Sequence, residues 1–92
     1  MMCEFCDREV SFTTKHHLVP RSTHSKKKIK NQFSKDERRA TIDVCCDCHK
    51  TFHRFFSEKE LAVKFYTLQL LNQEPKLIKY KTWIQDQREG IV

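Results

Sequence analysis

The sequence has no long apolar segment. It contains no run of about 18 apolar residues, the length a helix needs to cross a bilayer, and so predicts no membrane span. The first residues, MMCEFCDREV, lack the basic and then apolar segments of a secretory signal peptide. Glycine is nearly absent, since Gly90 is the only one, and no internal repeat is visible. We therefore expect a cytoplasmic protein, where thiols stay reduced and disulfides are rare.

Cysteine and histidine are abundant for the length of the chain. Five of each occur among 92 residues, a length that predicts a single domain over residues 1–92. A core this small often needs a staple, which can be a disulfide, a metal ion or an oligomeric partner. Ten potential soft ligands in a reducing compartment favour the metal ion.

Four of the cysteines form two pairs, each with two residues between its members: Cys3, Cys6, Cys45 and Cys48. Two such pairs are typical of a closed tetrahedral site for structural Zn²⁺. Binding would hold the N-terminus beside a later helix and add folding free energy. The alternative is a site made by the first pair with His16 and His17, which is disfavoured because adjacent strand residues point to opposite faces. Cys46 is interpreted as a free buried thiol.

Four histidines fall into two patterns, an adjacent pair and a pair four residues apart: His16, His17, His49 and His53. The second pair shares one face of a predicted helix, which is good spacing for two ligands on one metal. One member of the adjacent pair could complete the site while the other stands beside it. That arrangement suits phosphodiester cleavage, in which a neutral histidine takes a proton from water and a metal stabilises the developing charge. The alternative is that these are ordinary surface histidines.

The positive charge is concentrated in residues 15–39, which hold nine Lys or Arg and two acids, whereas the whole chain carries +6. A basic block of this kind indicates a polyanionic partner, most simply nucleic acid. The candidate phosphate-binding residues are Arg21, Lys26, Lys27, Lys28 and Lys30. The alternative is a solvated, mobile loop.

Apolar periodicity predicts the order of the elements. A strand is expected in residues 10–19, a long loop in 21–40 with a helical turn at 34–39, a strand in 41–44, and helices in 45–56, 57–73 and from Pro75 onward. Phe65, Tyr80 and Trp83 are at helical spacing and are expected in the core rather than stacked on bases.

The two cysteine pairs, the segment HHLVP that starts at His16, and CxxCH followed by His53 together resemble the HNH endonucleases, above all small bacterial and phage members. The resemblance implies an α+β fold of the ββα-metal type, with a zinc-stapled core in residues 1–56 and a two-helix extension in 57–92. It also implies that His17 is the general base, and that His16, His49 and His53 hold the catalytic metal. The four paired cysteines correspond to the structural zinc site of many members.

The sequence departs from the family pattern at one position. The middle Asn of HNH, which orients the general base, is not found before the second cysteine pair, where Ala40, Thr41 and Asp43 occur. Thr41 is the candidate catalytic substitute, with Asp43 as a second possibility. The usual Gly-Gly of the loop is also replaced by a Lys-rich run.

The function expected from these features is that of a metal-dependent endonuclease acting on nucleic acid, most simply double-stranded DNA. Its cofactors would be structural Zn²⁺ and a catalytic Mg²⁺, Mn²⁺, Ni²⁺ or Zn²⁺, of which imidazole ligands favour the transition metals. The alternative is a catalytically inactive, zinc-containing module that binds nucleic acid.

Overall fold

The structure, a computed structural model, describes residues 1–92 and contains two strands and six α-helices. In chain order these are β1 Thr14–His17, α1 Lys27–Gln32, α2 Lys35–Arg39, β2 Thr41–Val44, α3 Cys46–Phe55, α4 Glu58–Lys64, α5 Leu68–Gln73 and α6 Pro75–Ile84. A 3-10 turn at Arg21–Thr23 follows β1. The predicted α+β class is confirmed.

The two strands form an antiparallel ladder in which Thr14 lies opposite Val44 and His17 lies opposite Thr41. Alternation along β1 buries His16 completely and leaves His17 half-buried, as the strand period of two requires. β1 is shorter than the predicted strand over residues 10–19. Its four residues match the four of β2, which are the only partners the ladder offers.

Helix α3 begins where the second cysteine pair makes its turn. Cys45 is the N-cap, and its Sγ accepts a hydrogen bond from the backbone N–H of Cys48 at 3.5 Å. Cys48 and Phe52 are fully buried, and the Phe52 ring meets the Phe5 ring edge-on at 5.1 Å. The helix therefore packs the cysteine-bearing N-terminus onto its apolar face.

The basic segment contains more regular structure than its composition predicted. The helical turn expected at 34–39 is confirmed as α2, with a capping box between Ser34 and Glu37. The loop prediction is wrong for α1, because Ile29 and Phe33 are buried in a small cluster with Val19 and Ala62. Burying these side chains stabilises a helix that its lysine-rich sequence alone would not.

The helix predicted over residues 57–73 is divided into α4 and α5. Phe65 ends α4 and packs its ring against Phe56 at 4.5 Å, while the Thr67 hydroxyl accepts the N–H of Leu70 and caps α5. The third helix is confirmed, with Pro75 in its first turn.

One cluster of 16 buried residues runs from the N-terminal cysteines through β2 and α3 to α6. It therefore includes residues from both the first half of the chain and the C-terminal helices. No helix is both long and apolar enough to reach across a bilayer.

Candidate metal centres

The four paired cysteines converge in the core, and all four are buried. The Sγ atoms of Cys3 and Cys48 are 3.8 Å apart, and those of Cys6 and Cys45 are 3.9 Å apart. Four sulfurs at about 2.3 Å from a tetrahedral Zn²⁺ would be separated by about 3.8 Å. The four thiols thus have the spacing and chemistry to hold zinc, whereas Cys46 is half-buried and outside the cluster.

Arg8 lies against this cluster and was not identified from the sequence. Its Nε and Nη2 donate to the Sγ atoms of Cys6 and Cys45, each at 3.3 Å, and Nη2 also donates to Asp47 Oδ2 at 2.9 Å. Hydrogen bonds from the neighbouring thiols, and then from Arg8, lower the pKa of Cys6 below its usual value. The guanidinium therefore favours the thiolate form that zinc requires.

Asp47 connects the cluster to the C-terminal residues. Its carboxylate is fully buried and accepts backbone N–H groups from Gly90 at 2.8 Å and Val92 at 3.0 Å. Burial alone would raise the pKa of Asp47, but the hydrogen bonds from Arg8 and the two amides lower it. On the other side, Tyr80 Oη donates to Cys48 Sγ at 3.4 Å. In the sequence, the role of Asp47 is indicated only by the position of this acid between Cys45 and Cys48.

Three histidines form a second cluster, one from β1 and two from α3. Their ring centroids are 5.3 Å apart for His16 and His49, 5.5 Å for His16 and His53, and 5.2 Å for His49 and His53. One ring nitrogen of each lies within 4.8 Å of the others. Both ring nitrogens of His16 are buried without a hydrogen-bond partner, which is costly unless another group satisfies them. The cluster therefore fits a divalent metal ion.

The protonation of these histidines suits metal binding. Burial, followed by the charges of His49 and His53, lowers the pKa of His16 to about 3. Burial also lowers the pKa of His49, with His53 contributing next. Thr14 Oγ1 lies 2.8 Å from His49 Nδ1, which leaves His49 Nε2 for a metal. Thr14 was not expected at this site from the sequence.

A polar cleft of about 200 Å³ opens beside the histidine cluster. It is lined by Lys15, His17, Pro20, Arg21, Ser22, His49, His53 and Glu58. Burial, and then the charges of Arg21 and His24, lower the pKa of His17, which favours the neutral imidazole. The sequence-predicted base thus lies beside two of the candidate ligands.

Other residues singled out in the sequence lie outside this cleft. Thr41 is opposite His17 in the ladder but does not line the cleft. The four candidate lysines are exposed, three of them in α1 itself and none lining the cleft: Lys26, Lys27, Lys28 and Lys30. The Ala40 carbonyl accepts the backbone N–H of Leu18 at 3.3 Å, so a main-chain hydrogen bond extends the pairing of the chain just beyond β1 and β2.

Over 86 residues, the chain is 31% identical to the uncharacterized protein YisB of Bacillus subtilis (strain 168), and the match covers 94% of this chain and 75% of YisB. The chain belongs to the YisB family. No protein-family model matches it, and neither does any solved structure. The match with YisB leaves out only six of the 92 residues, so the histidine cluster lies within the shared part.

The two clusters give this YisB-family chain different chemical capacities. The cysteine cluster is closed, because four buried thiols can fill all the positions of tetrahedral zinc. The histidine cluster offers three ligands and borders a cleft, so an ion held there could also contact a molecule in the cleft. The first arrangement is typical of a structural site and the second of a reactive one. The cysteines and the histidines form separate clusters. The alternative site made by the first cysteine pair with His16 and His17 is therefore wrong.

Proposed function

We propose that this YisB-family protein is a metal-dependent endonuclease of the HNH (ββα-metal) type that hydrolyses phosphodiester bonds in DNA. The observation that carries the proposal is the convergence of His16, His49 and His53 beside a cleft that contains His17. A histidine with two buried, unpartnered ring nitrogens has no evident structural purpose in an apolar core. A strand packed against a helix supplies the ligands, as the ββα-metal type requires.

His16, His49 and His53 would hold the divalent ion, and their imidazole nitrogens favour Mn²⁺, Ni²⁺ or Zn²⁺ over Mg²⁺. A bound ion would supply positive charge that stabilises the negative charge growing on the phosphate and on the leaving oxygen. The pKa of His16 is lowered to about 3, so this ligand is neutral at physiological pH without metal. Little proton release from His16 is therefore needed on binding.

His17 would act as the general base and take a proton from the attacking water. Its lowered pKa keeps the imidazole neutral near pH 7, which is the form that accepts a proton. It lines the same cleft as His49 and His53, so a phosphate placed there would lie near both the base and the ligands. These positions support separate roles for the two adjacent histidines.

Lys15 and Arg21 line the cleft, and they would fix a backbone phosphate. The lysines of α1 are exposed and would add contacts that do not depend on sequence. Residues 15–39 hold nine of the 18 Lys and Arg residues but only two of the 12 acids, which supports a polyanion such as double-stranded DNA as the substrate. Binding should accordingly weaken as salt rises.

The test is cleavage by purified, zinc-loaded protein of supercoiled plasmid and of single-stranded RNA. Reactions would contain no added ion, or Mg²⁺, Mn²⁺, Ni²⁺ or Zn²⁺. We expect plasmid nicking or linearisation that depends on the ion. His17→Ala should lower the rate by about 10²-fold to 10⁴-fold, the usual contribution of a general base.

His24→Ala is the matched control, because its ring lies 6.3 Å from that of His17 but belongs to no metal cluster. It should cleave within a few-fold of the unaltered protein. If no ion supports cleavage and the protein shows only salt-sensitive DNA binding, the proposal fails. The inactive nucleic-acid-binding module then becomes the better account, with Ala40 in place of the middle Asn as its reason.

A further inference from the structure

A second and larger cavity, of about 550 Å³, lies between α3, α6 and the last residues of the chain. It is lined by Thr51, Arg54, Phe55, Lys76, Lys79, Tyr80, Trp83, Ile91 and Val92, which we call the aromatic groove. None of these residues belongs to the cysteine or histidine cluster. Its volume lies within the range of roughly 300–1,000 Å³ that is usual for small-molecule sites.

Three aromatic side chains, together with Ile91 and Val92, form the apolar surface of the groove. Tyr80 is central, with ring centroids 6.3 Å from both Phe55 and Trp83. Its hydroxyl donates a hydrogen bond to Cys48 Sγ, so the cysteine cluster fixes the position of this ring. Trp83 is 48% exposed and Phe55 is 38% exposed, so both present ring surface to solvent. The expectation that Trp83 belongs to the core is therefore wrong.

The charged side chains that line the groove are all basic. Arg54, Lys76 and Lys79 line it, and no acidic residue does. An occupant that matches both features carries negative charge beside flat apolar groups. Single-stranded nucleic acid does so repeatedly, because each nucleotide joins a phosphate to a base that can stack on an aromatic ring.

The groove shares helix α3 with the histidine cluster. His53 is followed directly by Arg54 and Phe55, which line the groove, so the two sites lie on different sides of the end of one helix. A helix with its side chains is about 10–12 Å across, a distance that a few nucleotides can span. An acidic peptide would match the charge, but this continuity with a nucleic-acid site favours nucleic acid.

We infer that the aromatic groove binds an unpaired nucleotide of a single strand, with its base stacked on Trp83 or Phe55 and its phosphate held by Lys76, Lys79 and Arg54. This inference deepens the proposed nuclease function, because it specifies a DNA substrate with an unpaired segment beside the cleavage site. In that respect it rests on the proposed function. Binding itself requires neither the histidine-bound ion nor cleavage.

Trp83 is the only tryptophan of the chain, so its fluorescence reports directly on the groove. The experiment titrates zinc-loaded His17→Ala protein, which leaves the nucleic acid intact, with a dT oligonucleotide, the same length of RNA, and a blunt DNA duplex. We expect saturable quenching by the single strands and much less by the duplex. Phe55→Ala should weaken single-strand binding by about 5-fold to 150-fold, the range for loss of one stacked base.

The charge reversal Lys76→Glu with Lys79→Glu should weaken binding and reduce the slope of log affinity against log salt by about 1.4, or about 0.7 for each lost phosphate contact. Lys59→Glu with Lys64→Glu is the matched control on α4, which is outside the groove. That variant should leave the single-strand quenching of Trp83 in place.

Three results would overturn the inference. The first is binding of single strands, detected by anisotropy, without quenching of Trp83. The second is quenching by an acidic peptide such as poly-Glu where oligonucleotides do not quench. The third is quenching that follows protein concentration alone, which indicates a second copy in the groove. Failure of the nuclease proposal gives a different result, because cleavage is then absent while quenching persists. Cleavage without quenching would overturn the inference about the groove but not the nuclease proposal.

Discussion

Replacing Arg8 with methionine tests how the cysteine cluster is supported. Methionine keeps an unbranched apolar stem but removes the guanidinium that lies 2.9 Å from Asp47 Oδ2. The two side chains are 9% and 0% exposed, so water does not screen the pair. Removing one partner of such a pair costs about 3–5 kcal/mol, because the other charge stays buried.

The cost should fall at the lower end, at about 3 kcal/mol, since Asp47 keeps the two amide donors from Gly90 and Val92. For a domain of this size, that loss lowers the midpoint of thermal unfolding by about 12–24 °C. Arg8 also donates to Cys6 and Cys45, and loss of such outer contacts usually weakens metal binding by about 10-fold to 100-fold. Both stability and zinc affinity should therefore fall.

The measurements are urea unfolding of the zinc-loaded protein and competition for zinc with a chromophoric chelator. Lys15→Met is the matched control, because Lys15 pairs with Asp43 at 3.3 Å on the exposed surface and should contribute less than about 1 kcal/mol. A double-mutant cycle with Asp47→Asn isolates the pair itself. Equal effects of Arg8→Met and Lys15→Met, with no coupling to Asp47, would refute the reasoning.

Three further predictions concern other parts of the structure. Removal of zinc by a strong chelator should abolish the cooperative unfolding transition, because the four thiols belong to the main core; a retained transition by circular dichroism would contradict this. Thr14→Val should weaken Ni²⁺ binding at the histidine cluster by about 10-fold or more, by calorimetry, while Thr14→Ser retains it, since the hydroxyl contacts His49 Nδ1. Ser57→Ala should lower the free energy of unfolding by about 1 kcal/mol through loss of the α4 cap, and an unchanged urea midpoint would argue against it.

Local spacing was sufficient to predict which candidate metal ligands lie together within each pair, but not that the distant pairs converge. Two residues between cysteines fix a tight turn, and four residues between His49 and His53 fix one helix face. Alternation in β1 then allows only one of two adjacent histidines to face that helix. These are short-range rules, and for this reason they remain valid whatever the rest of the chain does.

The parts that sequence reasoning missed depend on contacts between distant residues. Helix α1 exists because Ile29 and Phe33 reach Val19 and Ala62, and its composition alone indicates a loop. Arg8 and Asp47 are 39 positions apart, so their pairing has no local pattern. Long-range burial decides such features, and a single sequence does not display it.

The prediction that Trp83 belongs to the core is wrong for a different reason. The buried face of helix α6 is narrower than its apolar residues suggest. Helix α6 buries Leu77, Tyr80 and Ile84, whereas Ile78 and Trp83 are about half exposed. Helical spacing groups Trp83 with Tyr80, although at about 100° per residue Trp83 lies about 60° from Tyr80 and about 100° or more from Ile84 and Leu77 around the helix. An apolar residue at the margin of a helix face is therefore a candidate for a binding surface.

Helix α3 gives the two clusters a common frame. Cys45 and Cys48 lie at its start, His49 follows at once, and His53 is one turn further along. Because a helix is rigid over so short a distance, fixing its first turn through zinc also fixes the direction in which the two histidines point. Zinc loading should thus precede metal binding by the histidines. If Ni²⁺ affinity at the histidine cluster were the same before and after zinc removal, this order would be wrong.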